Sequence, residues 1–292
     1  MTLRHGQAVV LMVAVALLWS TAGVVTRQLE QAQAFEITFW RSAFTALSLA
    51  VILPVWQGAD VWRRLIGSGA ALWLSGLCWA VMFTAFMVAL ALTSVANVLI
   101  TLAAGPLLTA LVSRLFFGQR LPPHTWAAIA VAGAGIAWMF AQKLGNGGWL
   151  GSLVALGAPL GGAFNWNLVQ RSQREGQGVD LVPAVLLGAL LSAAVTLPLA
   201  WPWQASGHDV AWLAGLGLFQ LALPCVLAVV CARVLKPAEV SLLALLEVLF
   251  GILLAWIGAG EVPSPAVWQG GALVLGALFA HLGWTYRKET FS

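Results

Sequence analysis

The sequence predicts an all-α integral membrane protein of ten transmembrane helices, arranged as two inverted five-helix repeats with both termini cytoplasmic. Three observations carry this reading. The 292 residues are 61% hydrophobic and 8% charged, at a mean hydropathy of +0.92, whereas a soluble globular domain is about 25% charged. The apolar residues form continuous runs of about 20, the length that crosses a hydrocarbon core of ~30 Å as a helix, and not the short alternating segments of an outer-membrane barrel. The two halves of the chain also resemble one another in register.

Turn and charge punctuation divides the chain into spans near 8–26, 36–56, 69–92, 95–117 and 124–142, then 149–170, 181–200, 210–232, 239–258 and 266–286. The first follows Arg4 and His5 but runs nearly twenty residues without a small-residue cleavage site, so it reads as an uncleaved span and not a signal peptide. The second, opening with "EITFWRSAF", carries Arg41. Arginine at the bilayer centre costs roughly 2.5–3.5 kcal/mol on insertion scales. Counted from Glu36, Arg41 lies about five residues in, roughly 7.5 Å by helix rise. It is expected to be an architectural charge that snorkels to the outer interface or caps the carbonyls of a neighbouring helix; a vestibule contact to a substrate carboxylate is the alternative.

In the third span Ser75, Trp79, Met82, Phe83 and Phe86 recur at three- and four-residue spacing and share one stripe. Facing a cavity, such a stripe stacks planar substrates and attracts cations; packing against a neighbour is the competing account. The fourth span pairs Asn97 with Thr101 and then meets Gly105 and Pro106. A proline inside a helix frees a carbonyl and bends the backbone, so Gly105, Pro106, Pro159 in the sixth span and Pro224 in the eighth are candidate hinges or static kinks. In "GGAFNWNLV" Asn165 and Asn167 flank Trp166, about 200° apart around a helix. Both cannot face one cavity, and one is expected to bind a neighbouring helix.

Glu247 stands about nine residues into the ninth span, roughly 13 Å along it and close to mid-bilayer. An acid at that depth takes up a proton or pairs with a cationic substrate group; a protonated acid bonding a neighbouring helix is the structural alternative. Trp56, Trp62, Trp126, Trp149, Trp201, Trp203, Trp268 and Trp284 fall near expected interfaces as anchors. Trp19, Trp79 and Trp166 lie deeper and are better binding candidates. Cys78, Cys225 and Cys231 have no metal-type spacing and read as small apolar residues.

A cytoplasmic N-terminus puts Arg4, Arg63, Arg64, Arg114, Arg120, Arg171, Arg174, Arg233, Lys236, Arg287 and Lys288 inside, leaving Arg27 and Lys143 outside. That asymmetry orients the chain and accounts for its charge of +4 without a nucleic acid partner. An offset of 144 lays Val25, Arg27, Leu47, Ser48 and Pro54 on Val169, Arg171, Leu191, Ser192 and Pro198. An offset of 142 lays Ala96, Val98, Gly118, Pro123 and Trp126 on Ala238, Val240, Gly260, Pro265 and Trp268. The repeats are taken as 1–144 and 145–292. Five spans per copy invert the second copy, an arrangement of many secondary transporters with the substrate site near the midplane.

The segments "LLWSTAGVVTR", "ITFWRSAF", "LITLAAGPLLTALVSRLFFGQRLPPHTWAAIAVAGAGIAWM" and "LLALLEVLFGILLAWIGAGEVPSPAVWQGGALVLGAL" resemble the drug/metabolite transporter superfamily in its ten-helix, EamA-type form. The resemblance covers nearly the whole chain, and length and aromatic richness are similar to the branch that exports aromatic amino acids and is associated with the flat dication methyl viologen. It implies alternating access around a central cavity in the bacterial inner (cytoplasmic) membrane. One departure bears on mechanism: the family's ninth helix commonly reads Glu-Pro, while here Val248 follows Glu247, so a kink there does not follow from the resemblance.

The leading reading is a secondary transporter exporting small amphipathic metabolites, with the lipid bilayer and protons as candidate partners and no cofactor. Substrate-binding candidates are Trp19, Ser75, Trp79, Phe83, Phe86, Asn97, Thr101, Asn165, Trp166 and Glu247. A passive facilitator or channel is the alternative, though no charged ring or selectivity filter is evident. An enzyme is disfavoured: there is no HExxH and no GxSxG, His5, His124 and His208 lie at ends or loops, and His281 is isolated. No GxxxxGK[ST] motif is present to bind a nucleotide.

Overall fold

The computed structural model describes residues 3–26, 28–67, 69–93, 95–140, 149–174, 180–259, 262 and 264–290, and every regular element among them is helical. In the first half these are α1 (His5–Ser20), α2 (Ala22–Thr26), α3 (Ala34–Gln57), α4 (Val61–Gly67), α5 (Ala70–Leu92), α6 (Val95–Leu102), α7 (Gly105–Leu115) and α8 (Pro123–Phe140). In the second half they are α9 (Trp149–Ala155), α10 (Gly157–Arg174), α11 (Pro183–Thr196), α12 (Gly207–Gly215), a π-helical segment (Leu216–Ala222), α13 (Leu223–Ala232), α14 (Pro237–Ala244), α15 (Leu246–Ala259) and α16 (Pro265–Thr290). Arg27, Lys143, Gly260 and the expected repeat boundary at 144 lie outside the described residues.

Among the described residues six runs are long and apolar enough to cross a membrane: His5–Thr26, Ala34–Gln57, Ala70–Leu92, Gly207–Ala232, Pro237–Gly258 and Pro265–Trp284. Gly105–Leu115 and Pro183–Leu199 are shorter apolar helices. Val55, Ile257 and Phe279 are 84%, 80% and 71% exposed, a hydrophobic exterior suited to hydrocarbon and not to water. Within that belt the helices satisfy their own backbone groups, which lipid cannot do.

The closest packing joins the two halves of the chain. α5 lies against α10 and α11, α7 against α10 and α14, α8 against α16, and α1 against α13, α14 and α15. Small residues set these approaches: a Cβ on Gly188 would stand 2.3 Å from the Trp79 Cβ, and one on Gly270 would stand 2.3 Å from the Gly135 carbonyl oxygen. Backbone contact of this kind is how helices associate where lipid supplies no hydrophobic drive.

Several runs break where the chain cannot or does not continue an α ladder. Before Pro106, which has no N–H to offer the Leu102 carbonyl, the Ala104 N–H turns to Thr101 O at 3.1 Å, separating α6 from α7. Pro159 follows the same logic after the break at Leu156. Pro224 follows the π segment, so the ladder widens just ahead of the residue that would leave the Gln220 carbonyl without its α-helical donor. The α14–α15 run breaks at Leu245 with no proline present, the Leu245 N–H bonding Leu242 O and the Val248 N–H bonding Leu245 O, both at 3.1 Å. A bend that does not follow from "EV" is therefore there, made by tightened i,i+3 turns.

Buried carboxylates tie the loops at one end of the molecule. Asp209 accepts the backbone N–H groups of Glu30, Gln31 and Ala32 at 2.8, 3.1 and 3.1 Å. Reciprocally, Glu36 accepts those of Gln204 and Ala205 at 3.0 and 2.9 Å. Together they bind the α2–α3 connection to the α11–α12 connection. At the other end of the helices Asp180 joins the Gln57 amide at 2.7 Å and the Arg233 guanidinium. His281 is not isolated, as sequence suggested: it approaches Glu239 at 3.9 Å and the His124 ring at a centroid distance of 5.5 Å, while His5 bonds Glu239 at 3.3 Å. Residues this far apart in sequence meet only because α1, α8, α14 and α16 bundle.

Candidate functional site

Broken and unbroken helices from both halves line a cavity of about 160 Å³. α5 supplies the stripe Trp79, Met82, Phe83 and Phe86; α10 supplies Pro159 and Trp166; α1 supplies Trp19; and Leu102 and Gly105 enter from the α6–α7 break. The second half adds Gln220, Cys225, Ser241, Leu245 and Glu247, and α3 adds Arg41. The i,i+3/i+4 periodicity of the α5 stripe is what lets one helix present four side chains to one space.

The aromatic wall combines an edge contact with a tilted one. The Trp79 and Trp166 rings lie 5.5 Å apart at 83°, and Trp79 and Phe83 lie 5.5 Å apart at 39°. Trp19, Trp79 and Trp166 are all buried, whereas Trp56, Trp62, Trp149, Trp201, Trp203, Trp268 and Trp284 are exposed as anchors would be. Trp126 departs from that set and is half-buried against the core.

Of the two placements expected for Arg41, the structure shows the bond to a carbonyl of a neighbouring helix and not the snorkel. Arg41 is only 2% exposed; its Nη2 donates to the Phe83 carbonyl oxygen at 3.4 Å, and its side chain lines the same cavity as Glu247. The reason is rotational: α3 turns this residue toward α5, and helix depth does not report the face. The Arg41 Nε, the Gln220 Oε1 and the Trp79 Nε1 are buried and have no hydrogen-bond partner. Gln220 is held from its other end, its Nε2 donating to Trp19 O at 3.4 Å. Buried polar atoms left without partners are costly in a folded interior, and all three belong to residues that line the cavity.

The remaining polar candidates do not border the cavity. Ser75 donates to the Asn165 Oδ1 at 2.6 Å, and Asn167 accepts from the Ser113 hydroxyl at 2.7 Å, so both asparagines of the sixth expected span, and not one, bind neighbouring helices. Asn97 bonds Thr93 at 2.8 Å and Thr101 bonds the Asn97 carbonyl at 2.7 Å, local i,i+4 contacts along α6. Gly105 and Pro159 line the cavity, while Pro106 and Pro224 are buried beside it. Thr109 and Ser241, 2.6 Å apart, tie α7 to α14 at its edge.

Sequence reasoning missed Gln220 and Ser241. A usable signal existed for the first: a lone amide in an apolar run, four residues before Pro224, marks a carbonyl that an α-helix cannot satisfy. Nothing set Ser241 apart from other serines. Among the described residues no group of three or more His, Cys, Asp or Glu side chains is placed to hold a metal ion.

Three comparisons bear on this architecture. Residues 6–141 match the EamA-like transporter family. The chain is 29% identical over 290 residues to a riboflavin transporter of Rhizobium johnstonii, covering 91% of this chain and 87% of that protein. It is 28% identical over 142 residues to an uncharacterized transporter of Pseudomonas aeruginosa, 48% of this chain and 47% of that one. A solved crystal structure superposes with a TM-score of 0.79 at 18% identity, over 95% of this chain and 97% of its own, a likeness of fold.

Proposed function

We propose that this chain is a membrane transporter of EamA type, a reading supported by the family match and the transporter relatives, and that it is a secondary transporter moving small amphipathic aromatic metabolites through the central cavity by alternating access. The single observation that carries the reading is the convergence of Trp19, Trp79, Phe83, Phe86 and Trp166 with one cationic and one anionic side chain around one space. Planar rings stack on such walls, and the charged groups engage polar substituents. Aromatic amino acids fit this chemistry, in keeping with the branch that the sequence resembles; flat cations such as methyl viologen belong to the range that resemblance implies. A riboflavin-like isoalloxazine is the second reading, favoured by the relative that transports riboflavin.

The ten-span, inverted-repeat topology in a bacterial inner membrane, with cytoplasmic termini, is part of the proposal. Two observations support it: the breaks at Ala103 and Leu245 stand 142 residues apart, the offset at which the two halves align, and helices of the two halves pack on each other. These breaks flank the cavity and are the proposed hinges.

Counterflow by purified protein in liposomes tests the function. Labelled tryptophan exchanging against internal tryptophan is the expected result; exchange of riboflavin alone selects the second reading, and conduction without counterflow contradicts a transporter. Proton coupling is read at Glu247: an imposed gradient accelerates the wild type and leaves Glu247→Gln unresponsive, whereas a gradient without effect on the wild type assigns passive exchange.

A further inference from the structure

We infer that Arg41 and Glu247 form a charge-balanced pair that makes the cavity select solutes carrying both an anionic and a cationic group over singly charged solutes with the same ring. The inference rests on the reading of this cavity as the transport site, and it narrows the range of substrates that reading admits.

The two charges come from different halves of the molecule, Arg41 from α3 and Glu247 from α15. Their positions in the opposite copies are neutral: Val185 at the offset of 144 and Gly105 at 142. The cavity is therefore electrically polar in one sense only, although its walls come from both halves. Arg41 is incompletely satisfied, with a single long bond from Nη2 to Phe83 O and a buried Nε that has no partner. A guanidinium presents its donors as a planar fork suited to a carboxylate, and this one faces open space. Gln220, from the π segment packed on α3, also lines the cavity, with its Nε2 tied to Trp19 O and its buried Oε1 without a partner.

A zwitterion entering this space gives a carboxylate to Arg41 and an ammonium to Glu247, with its ring against Trp79 and Trp166. Each protein charge then gains a direct partner, and the net charge of the site is unchanged. A lone anion satisfies Arg41 but strands Glu247; a lone cation, including a flat dication, does the reverse. In a low-dielectric interior the stranded charge decides the outcome, because a buried charge that loses its partner is strongly destabilising.

Three indole probes isolate the charge: tryptophan, its decarboxylated amine tryptamine, and indole-3-propionate, which lacks the amine. Each is measured by competition with counterflow and by the shift it causes in the melting temperature of the purified protein. The wild type is expected to prefer tryptophan by at least about tenfold, the effect of only a modest part of the penalty for an unpaired buried charge. Glu247→Gln moves the preference to indole-3-propionate, and Arg41→Gln moves it to tryptamine. If Arg41→Gln does not fold, the inversion in Glu247→Gln decides alone. An unchanged order in Glu247→Gln overturns the inference, as does a wild type that prefers a singly charged probe or takes none of the three. Trp166→Ala separates this failure from that of the cavity reading. Loss of transport of whichever solute the wild type moves keeps the cavity as the path, and full retention removes it.

Discussion

Trp166 is 4% exposed, holds its ring edge-on to Trp79 at a centroid distance of 5.5 Å and lines the cavity. Trp166→Phe keeps an aromatic face and is expected to retain transport within about threefold, since the ring-to-ring contact is worth about 0.5–1.5 kcal/mol. Trp166→Ala is expected to lose at least about tenfold, measured as initial rate of counterflow. Gly188 offers a separate test of the wall: a methyl there would meet the Trp79 Cβ at 2.3 Å. Gly188→Ala should therefore lower expression and the melting temperature, with overpacking costing about 1–3 kcal/mol. Much of the site was legible at this scale. Trp19, Trp79, Phe83, Phe86, Trp166 and Glu247, all singled out from spacing and depth, line the cavity. The partners of Arg41 and Asn165 were not legible for one shared reason: a residue's depth follows from counting, but its rotational partner belongs to another helix. α5 is that partner in both cases, through Phe83 O for Arg41 and Ser75 for Asn165.

Broken helices concentrate around the cavity, and their causes differ. Pro106 and Pro159 are visible in sequence, and the breaks lie where missing donors put them. The break at Leu245 has no such mark; it is held by two i,i+3 bonds in a run of leucines. If these breaks are hinges, Pro106→Ala restores a donor for the Leu102 carbonyl and favours a straighter conformer. Tryptophan counterflow is then expected to slow, by about tenfold for each 1.4 kcal/mol of bias between conformers, with binding affinity in detergent preserved. Equal rates in the two proteins would make the break a static kink. The carboxylate clasps were not legible, because Asp209 and Glu36 bond to backbone N–H groups, which any sequence carries. Asp209→Asn weakens acceptance of the N–H groups of Glu30, Gln31 and Ala32 and is expected to lower the melting temperature by about 2–4 °C for each 1 kcal/mol lost.

At the scale of the molecule, composition alone excluded a soluble fold, and the six long apolar runs agree with a multi-pass membrane protein. The proposed repeat goes further, since five spans per copy would make the second half an inverted copy of the first. The expected consequence is that reporter fusions at residues 4 and 290 both read as cytoplasmic; opposite locations would require an odd number of crossings. The whole account depends on the cavity between the halves being the transport path. Counterflow of tryptophan and riboflavin in proteoliposomes tests it most directly, comparing the wild type with Trp166→Ala and with Val55→Ala, an exterior control at 84% exposure. The account predicts that Trp166→Ala loses at least about tenfold of the transported solute's rate while Val55→Ala matches the wild type. Equal rates in all three proteins would contradict it.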